Sequence, residues 1–245
     1  MAYKEFANIY DELIYEDIDY DEISEKIISL SNENNIEFED YLDLACGTGN
    51  VGVRVGKYFK NMYAVDLSND MLNIAFEKFK QNKIKAKVIC QDMSELSLNH
   101  KFNLITSVLD STNYITEEED LFNYLKSVYD HLKDDGLFIF DINSYYKLSE
   151  IMGNNIYTYS SEDVFYTWEN TFEDNILNMF LTFFVKNENN LYERFEEEHF
   201  EKAYQEKDIE DILNEIGFNI LGKFCGYSDL KPDNNSERIL YVLRK

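Results

Sequence analysis

Apolar positions recur in two different rhythms along this chain, and the rhythm changes near residue 142. Before that point, short apolar runs at 41–45, 62–65, 87–90, 104–108 and 137–140 read as strands. Between them, 69–79 and 118–132 carry apolar residues at helical intervals. Ser68 is placed to cap the first of these helices, because its hydroxyl can accept from a free helical N–H. Strands alternating with helices predict a parallel sheet with helices on both faces. The segment 1–40 reads as an acidic helical cap. Ile23, Ile27, Ile28 and Leu30 share one of its faces, which ends near the polar run 31–35.

After Asp141 the runs lengthen and fill with Phe, Tyr, Val and Thr. The stretches 163–172, 176–186 and 191–203 are separated by turn-like Glu173-Asp174-Asn175 and by 187–190. They predict an antiparallel meander of three strands. A helix follows over 208–216 with Gly217 as its C-cap, then two closing strands at 218–225 and 238–243, with Pro232 in the polar loop between them. The expected organisation is a cap at 1–40, one α/β unit made of 41–142 and 206–245, and a meander inserted at 143–205.

Composition narrows the class. Apolar residues make up 44% of the 245, enough to bury a sizeable core. No apolar run approaches the ~20 residues that span a bilayer. The start, Met-Ala-Tyr-Lys-Glu-Phe, lacks a signal-peptide pattern. A cytoplasmic protein with no membrane partner is expected. Cys46, Cys90 and Cys225 are too scattered for a disulfide framework, and His100, His131 and His199 do not pair at ligand spacing, so no metal is expected. His100 and His131 read as solvated. The net charge of −25 repels nucleic acid, whose binders need a basic footprint. A small neutral or cationic substrate suits the charge, and a basic protein also would; plain solubility explains much of it.

Chemistry enters at Leu42-Asp43-Leu44-Ala45-Cys46-Gly47-Thr48-Gly49-Asn50, where the first strand turns into the first helix. Glycines there let the backbone turn tightly and approach a ligand. Gly47 to Gly52 also satisfies the dinucleotide fingerprint GxGxxG, a weak signal alone. Asp43, however, precedes the glycines where dinucleotide binders carry an apolar residue. Asp66 and Asp92 then end the second and third strands. Three carboxylates suit a sulfonium better than a pyrophosphate.

The run Asp-Leu-Ala-Cys-Gly-Thr-Gly resembles the first motif of class I, Rossmann-like S-adenosylmethionine (SAM)-dependent methyltransferases. The opening Phe6-Ala7-Asn8-Ile9-Tyr10-Asp11, the loop from Leu109 to Tyr114 and Glu197-Glu198-His199 with Ala203-Tyr204 extend the likeness to the sugar-amine N-methyltransferase group. The resemblance implies a doubly wound sheet with the meander as lid over the site. It implies SAM as cofactor and S-adenosylhomocysteine (SAH) as product. It assigns the cofactor to Tyr10, Asp43, Ala45, Cys46, Gly47, Gly49, Asp66, Leu67, Gln91, Asp92, Met93 and Leu109. Asp66 would accept the ribose hydroxyls, Asp92 the adenine amino group, and Tyr10 would close over the ligand. The stretch 109–113 carries no proline, unlike the Asn-Pro-Pro-Tyr motif of nucleobase and glutamine methylases.

For the transfer itself, the candidates are Tyr114, which can orient an acceptor, and His199, which can take a proton near neutral pH. Each has a plainer reading, as a packed aromatic and as a strand histidine bonded within the meander. Trp168 reads as sheet surface that could also hold a cationic amine. The expected function is methyl transfer from SAM to a small molecule, possibly an amine in view of the resemblance. Two alternatives stand beside it: an NAD-dependent oxidoreductase and a SAM-binding protein without turnover.

Overall fold

The apolar runs of the first half lie side by side. The computed structural model describes residues 18–187 and 189–245. In it β1 (Asp40–Leu44), β2 (Asn61–Asp66), β3 (Ala86–Cys90), β4 (Phe102–Ser107) and β5 (Leu132–Asn143) pair in parallel. Two later strands, β10 (Asn219–Cys225) and β11 (Arg238–Arg244), finish the sheet in the order β10-β11-β5-β4-β1-β2-β3. β11 runs antiparallel to both its neighbours. Central strands covered on both faces lose solvent at every position rather than at alternate ones, and read as mostly apolar runs. β1 and β4 are buried along their whole lengths.

Helices supply the two covers. On one face lie α1 (Tyr20–Glu33), α2 (Asn50–Gly56) and α3 (Asn69–Gln81), packing Ile23, Ile27, Val55 and Phe79 against Tyr41, Leu104 and Ile139. On the other, α4 (Glu118–His131) and α5 (Glu206–Ile216) pack Leu125, Val128 and Leu213 against Phe138, Phe140 and Tyr241. The caps follow the sequence. Ser68 Oγ accepts from the backbone N–H of Met71 at 3.3 Å, and Gly217 ends α5 at φ 105°. Chain order reverses between β1 and β4, and ligand clefts in such sheets open at that point, beyond the carboxyl ends of the strands.

The meander has four strands rather than three. β7 (Val164–Glu173), β8 (Ile176–Lys186) and β9 (Tyr192–Lys202) match the expectation; β6 (Ile156–Ser160) joins at the β7 edge. Five residues, four of them exposed, gave no apolar alternation by which to find it. The inner face of the meander rests at one end on Leu148, within a helical turn at Lys147–Ile151, and on Met152 just after it. At the other end Phe183 rests on Met71 of α3.

Two histidines expected in solvent are built into the structure. His131 Nδ1 bonds the Ser127 carbonyl at 2.7 Å, and its Nε2 faces the Leu98 backbone. His100 bonds Asp40 and stacks on Tyr63 at 4.7 Å between centroids. A polar sequence context hid both, because their partners come from other elements.

Candidate active site

The glycine loop turns by left-handed steps at Ala45, Gly47 and Gly49, with φ of 56°, 52° and 80°. A Cβ on Gly47 would meet nothing within 4 Å, because the loop faces open space there. The Gly47 N–H donates to Asp66 Oδ2 at 2.7 Å, and the Ser68 N–H donates to Asp66 Oδ1 at 2.8 Å. Asp66 therefore ties the loop of β1 to the start of α3. Each of its oxygens keeps a further lone pair for a ligand diol. Burial pushes its carboxyl upward. Lys78 adds a second tie, its Nζ donating to Thr48 Oγ1 and Asn50 Oδ1 at 3.0 and 2.7 Å.

Asp43 sits behind this loop, 2% exposed. Thr106 Oγ1 donates to its Oδ1 at 3.3 Å, while Oδ2 lies where a Cβ on Gly52 would come within 2.6 Å. Burial, reinforced by the Asp66 charge, pushes the Asp43 carboxyl to about 7. The last glycine of the GxGxxG pattern thus serves close packing of α2 on a buried acid. Burial also pushes the Cys46 thiol well above its ordinary value, which leaves it inert as a nucleophile.

At the end of β3, Asp92 opens a short helical turn, Met93–Glu95, its Oδ1 accepting from Ser94 N and Oγ at 2.8 and 2.7 Å. The Gln91 amide reaches the Glu95 carbonyl at 3.0 Å and braces the same loop. A cavity of about 680 Å³ opens between these strand ends. Of the expected residues, Ala45, Gly47, Asp66, Leu67, Gln91, Asp92, Met93, Leu109, Tyr114 and His199 line it. Asp43, Cys46 and Gly49 stand behind its wall, and Tyr10 lies outside the described residues. Asp66, Asp70, Asp92, Asp110 and Asp120 line the cavity among the described residues, with no lysine or arginine. That charge suits a sulfonium and an α-ammonium and repels a pyrophosphate.

The opposite wall was not legible in the sequence. Leu109 and Asp110 are consecutive left-handed residues, with φ of 61° and 55°. Such backbone persists only where the surroundings enforce it. Asp141, fully buried at the end of β5, accepts both their N–H groups at 2.8 and 2.7 Å. Arg238 of β11 donates Nη1 to Asp141 and Nη2 to Asp110, at 2.6 and 2.7 Å. The Tyr227 hydroxyl donates to the remaining side of Asp141. An acid ending a strand was visible in the sequence at Asp141; nothing there marks Arg238 or Tyr227 as its partners.

Tyr114 and His199 meet edge to face, with centroids 5.9 Å apart. Burial lowers the His199 pKa, so the imidazole is held neutral. Both residues also line a second cavity of about 560 Å³, with Glu117, Glu198, Phe200 and Lys202. Tyr114, Thr116 and His199 are common to the two linings.

Residues 42–136 match the model of a family described as a methyltransferase domain. A protein named "Putative methyltransferase" from Geobacillus sp. (strain WCH70) is 32% identical over the full length of both chains. The crystal structure of an S-adenosylmethionine-dependent methyltransferase from Clostridium acetobutylicum ATCC 824 has 51% identity and a TM-score of 0.93. The match covers 100% of this chain and 99% of that one. The dTDP-3-amino-3,4,6-trideoxy-alpha-D-glucopyranose N,N-dimethyltransferase of Streptomyces venezuelae is 30% identical over 54% of this chain and 55% of that protein. An acidic cavity at the switch point of a sheet closed by an antiparallel strand agrees with these matches, and the chain belongs to the SAM-dependent methyltransferases.

Proposed function

We propose that the chain methylates a small molecule, with an amine as the acceptor class its surroundings suit best. The observation that carries this reading is the shared lining: one acidic cavity at the strand ends has Tyr114, Thr116 and His199 in common with a second of comparable size. Volumes of about 680 and 560 Å³ lie in the small-ligand range. The relative that acts on a nucleotide-linked amino sugar points the same way.

The cofactor supplies an electrophilic methyl group when bound. The residues do the rest. In this reading Asp66 and Asp92 hold the adenosine, with Gly47, Leu67, Met93 and Leu109 around it. Tyr114 orients the acceptor through its hydroxyl. Neutral His199 takes a proton where the attacking atom carries one. Residues 143–205 act as the lid that supports the acceptor side, and the alignment of the reacting atoms provides most of the acceleration. No helix among the described residues is long and apolar enough to cross a membrane. Three free thiols suit the reducing cytoplasm, where we place the protein.

Incubation with methyl-labelled SAM, a panel of small amines and a basic protein tests the reading. Label is expected in the small-amine fraction. Label confined to the protein would transfer the assignment to a protein substrate, and SAH binding without any label would leave a non-catalytic binder.

A further inference from the structure

The segment that carries Tyr114 is held by groups far from it in sequence. Ser111–Tyr114 is a single short helical turn. Two backbone bonds close around it, from Asn113 N–H to the Asp110 carbonyl at 2.9 Å and from Ile115 N–H to the Thr112 carbonyl at 3.2 Å. One turn is unstable by itself, because few bonds must fix many dihedrals. The Tyr114 ring is 46% exposed, so the core does not fix it either.

The end of β9 supplies the missing support. The Lys202 carbonyl accepts from Asn113 Nδ2 at 2.9 Å, and Lys202 Nζ donates to the Thr116 carbonyl at 3.0 Å. The Tyr204 hydroxyl donates to the Ile115 carbonyl. Asn113 also trades bonds with the backbone of Asn143 at the end of β5, its Oδ1 accepting at 2.9 Å and its Nδ2 donating at 3.1 Å. The chain is thus held on both sides of Tyr114, and the strand that does so also carries His199, whose ring meets Tyr114 edge to face.

Lys202 is the distinctive member of this set. Asn113 and Tyr204 are buried, and their loss would cost the fold itself. Lys202 is half-buried and lines the second cavity with Glu117 and Glu198, yet it makes no ion pair among the described residues. In a chain with 48 acidic residues its ammonium is spent on a neutral carbonyl instead. A charged donor makes the stronger and shorter kind of hydrogen bond, which suits the holding of a loop end.

We propose that Lys202 is a positioning residue for methyl transfer. Its carbonyl and its ammonium grip the 113–116 segment on the two sides of Tyr114, so that Tyr114 and His199 keep one mutual geometry. The proposal rests on the methyl-transfer reading and deepens it: the meander supports the acceptor side through this grip. A displacement of about 1 Å at a reacting centre can cost roughly a hundredfold in rate. Loosening the grip therefore acts on the transfer step, while Asp66 and Asp92, the proposed anchors of the cofactor, lie on other loops.

Lys202→Met keeps the stem and the backbone carbonyl and removes the donor. In protein saturated with SAH, this variant is expected to exchange the amide hydrogens of Asn113 and Ile115 at least tenfold faster, with β1 and β2 unchanged. Lys202→Arg is expected to restore most of the protection. Initial rates with methyl-labelled SAM and the amine panel are expected to fall at least tenfold in Lys202→Met, with SAH affinity within about twofold of the parent. In a Tyr114→Phe background the same substitution is expected to cost less, because the hydroxyl it positions is gone. Unchanged exchange at Asn113 and Ile115, no recovery with arginine, SAH affinity falling in step with the rate, or an equal cost in the Tyr114→Phe background would each overturn the proposal. A parent that binds SAH and labels no amine refutes the small-amine reading and the positioning role with it. A parent that labels an amine, with Lys202→Met equally fast, refutes the positioning role alone.

Discussion

The wall of the cavity built by β1, β2 and β3 and the wall built by β4, β5 and β11 each turn on strand-end carboxylates, yet they are assembled on different scales of sequence. On the first, Asp66 ties to Gly47 at a separation of 19 residues and to Ser68 at 2, and Asp92 ties to Ser94 at 2. On the second, Asp141 holds Leu109 and Asp110 across 32 and 31 residues, Tyr227 across 86 and Arg238 across 97; Arg238 reaches Asp110 across 128. Local ties leave a motif because the same spacing must recur wherever the same loop is made. Long-range ties leave none, because any strand that arrives at the right place can bring the partner. The second wall should therefore fail with the fold as a whole, and the first should fail at the ligand.

The largest expected effect tests that difference at Arg238. Arg238→Met leaves Asp110 and Asp141 facing each other with their cation gone. Breaking a buried pair costs about 3–5 kcal/mol. Urea unfolding should show a loss of that size, with Arg238→Lys recovering part of it. Next comes Asp66→Ala, which removes the proposed anchor of the ligand. Losing two charge-assisted hydrogen bonds, at about 1.5–3 kcal/mol each, should weaken SAH roughly a hundredfold or more by calorimetry while the chain stays folded.

Asp43 gives a pH signature. Its carboxyl lies near 7 in the fold against 3.8 as the ordinary value. Between those values the folded chain keeps a proton that the unfolded chain has released. This contribution to stability is full below the ordinary value and is lost as pH rises through the folded one. Asp43→Asn should remove a slope of roughly 1 kcal/mol per pH unit between pH 5 and 7, read from denaturation at each pH. Glu201, raised to about 8 by burial and then by the Asp110 charge, should leave a residual slope in that variant. The smallest effect is expected at Gly52→Ala. Its Cβ would press on Asp43 Oδ2 and Met62 Cε, each 2.6 Å away. Overpacking of this kind costs about 1–3 kcal/mol. The melting temperature should fall, with SAH affinity changed less than in Asp66→Ala.

The same contrast explains what could be read from the sequence. The parallel strands, the caps at Ser68 and Gly217 and the placement of Asp66 and Asp92 follow from short-range pattern. The β6 edge strand escaped because an exposed edge needs no apolar face. The site of Asp43 was legible but its position behind the loop was not: a buried carboxylate against Gly52 has the same spelling as one that meets a ligand. Tyr114 and His199 were named separately, and their meeting across β9 and the loop after β4 depended on the meander folding back.

The central claim is that the acidic cavity takes an adenosyl sulfonium ligand rather than a dinucleotide. Thermal unfolding with SAH or NADH, each in excess, tests it most directly. At about 100 times its dissociation constant a ligand stabilises the fold by roughly 2.7 kcal/mol. SAH should raise the melting temperature of the parent chain, the shift should vanish at the same concentration in Asp66→Ala, and NADH should leave both unchanged. A shift with NADH and none with SAH would contradict the account.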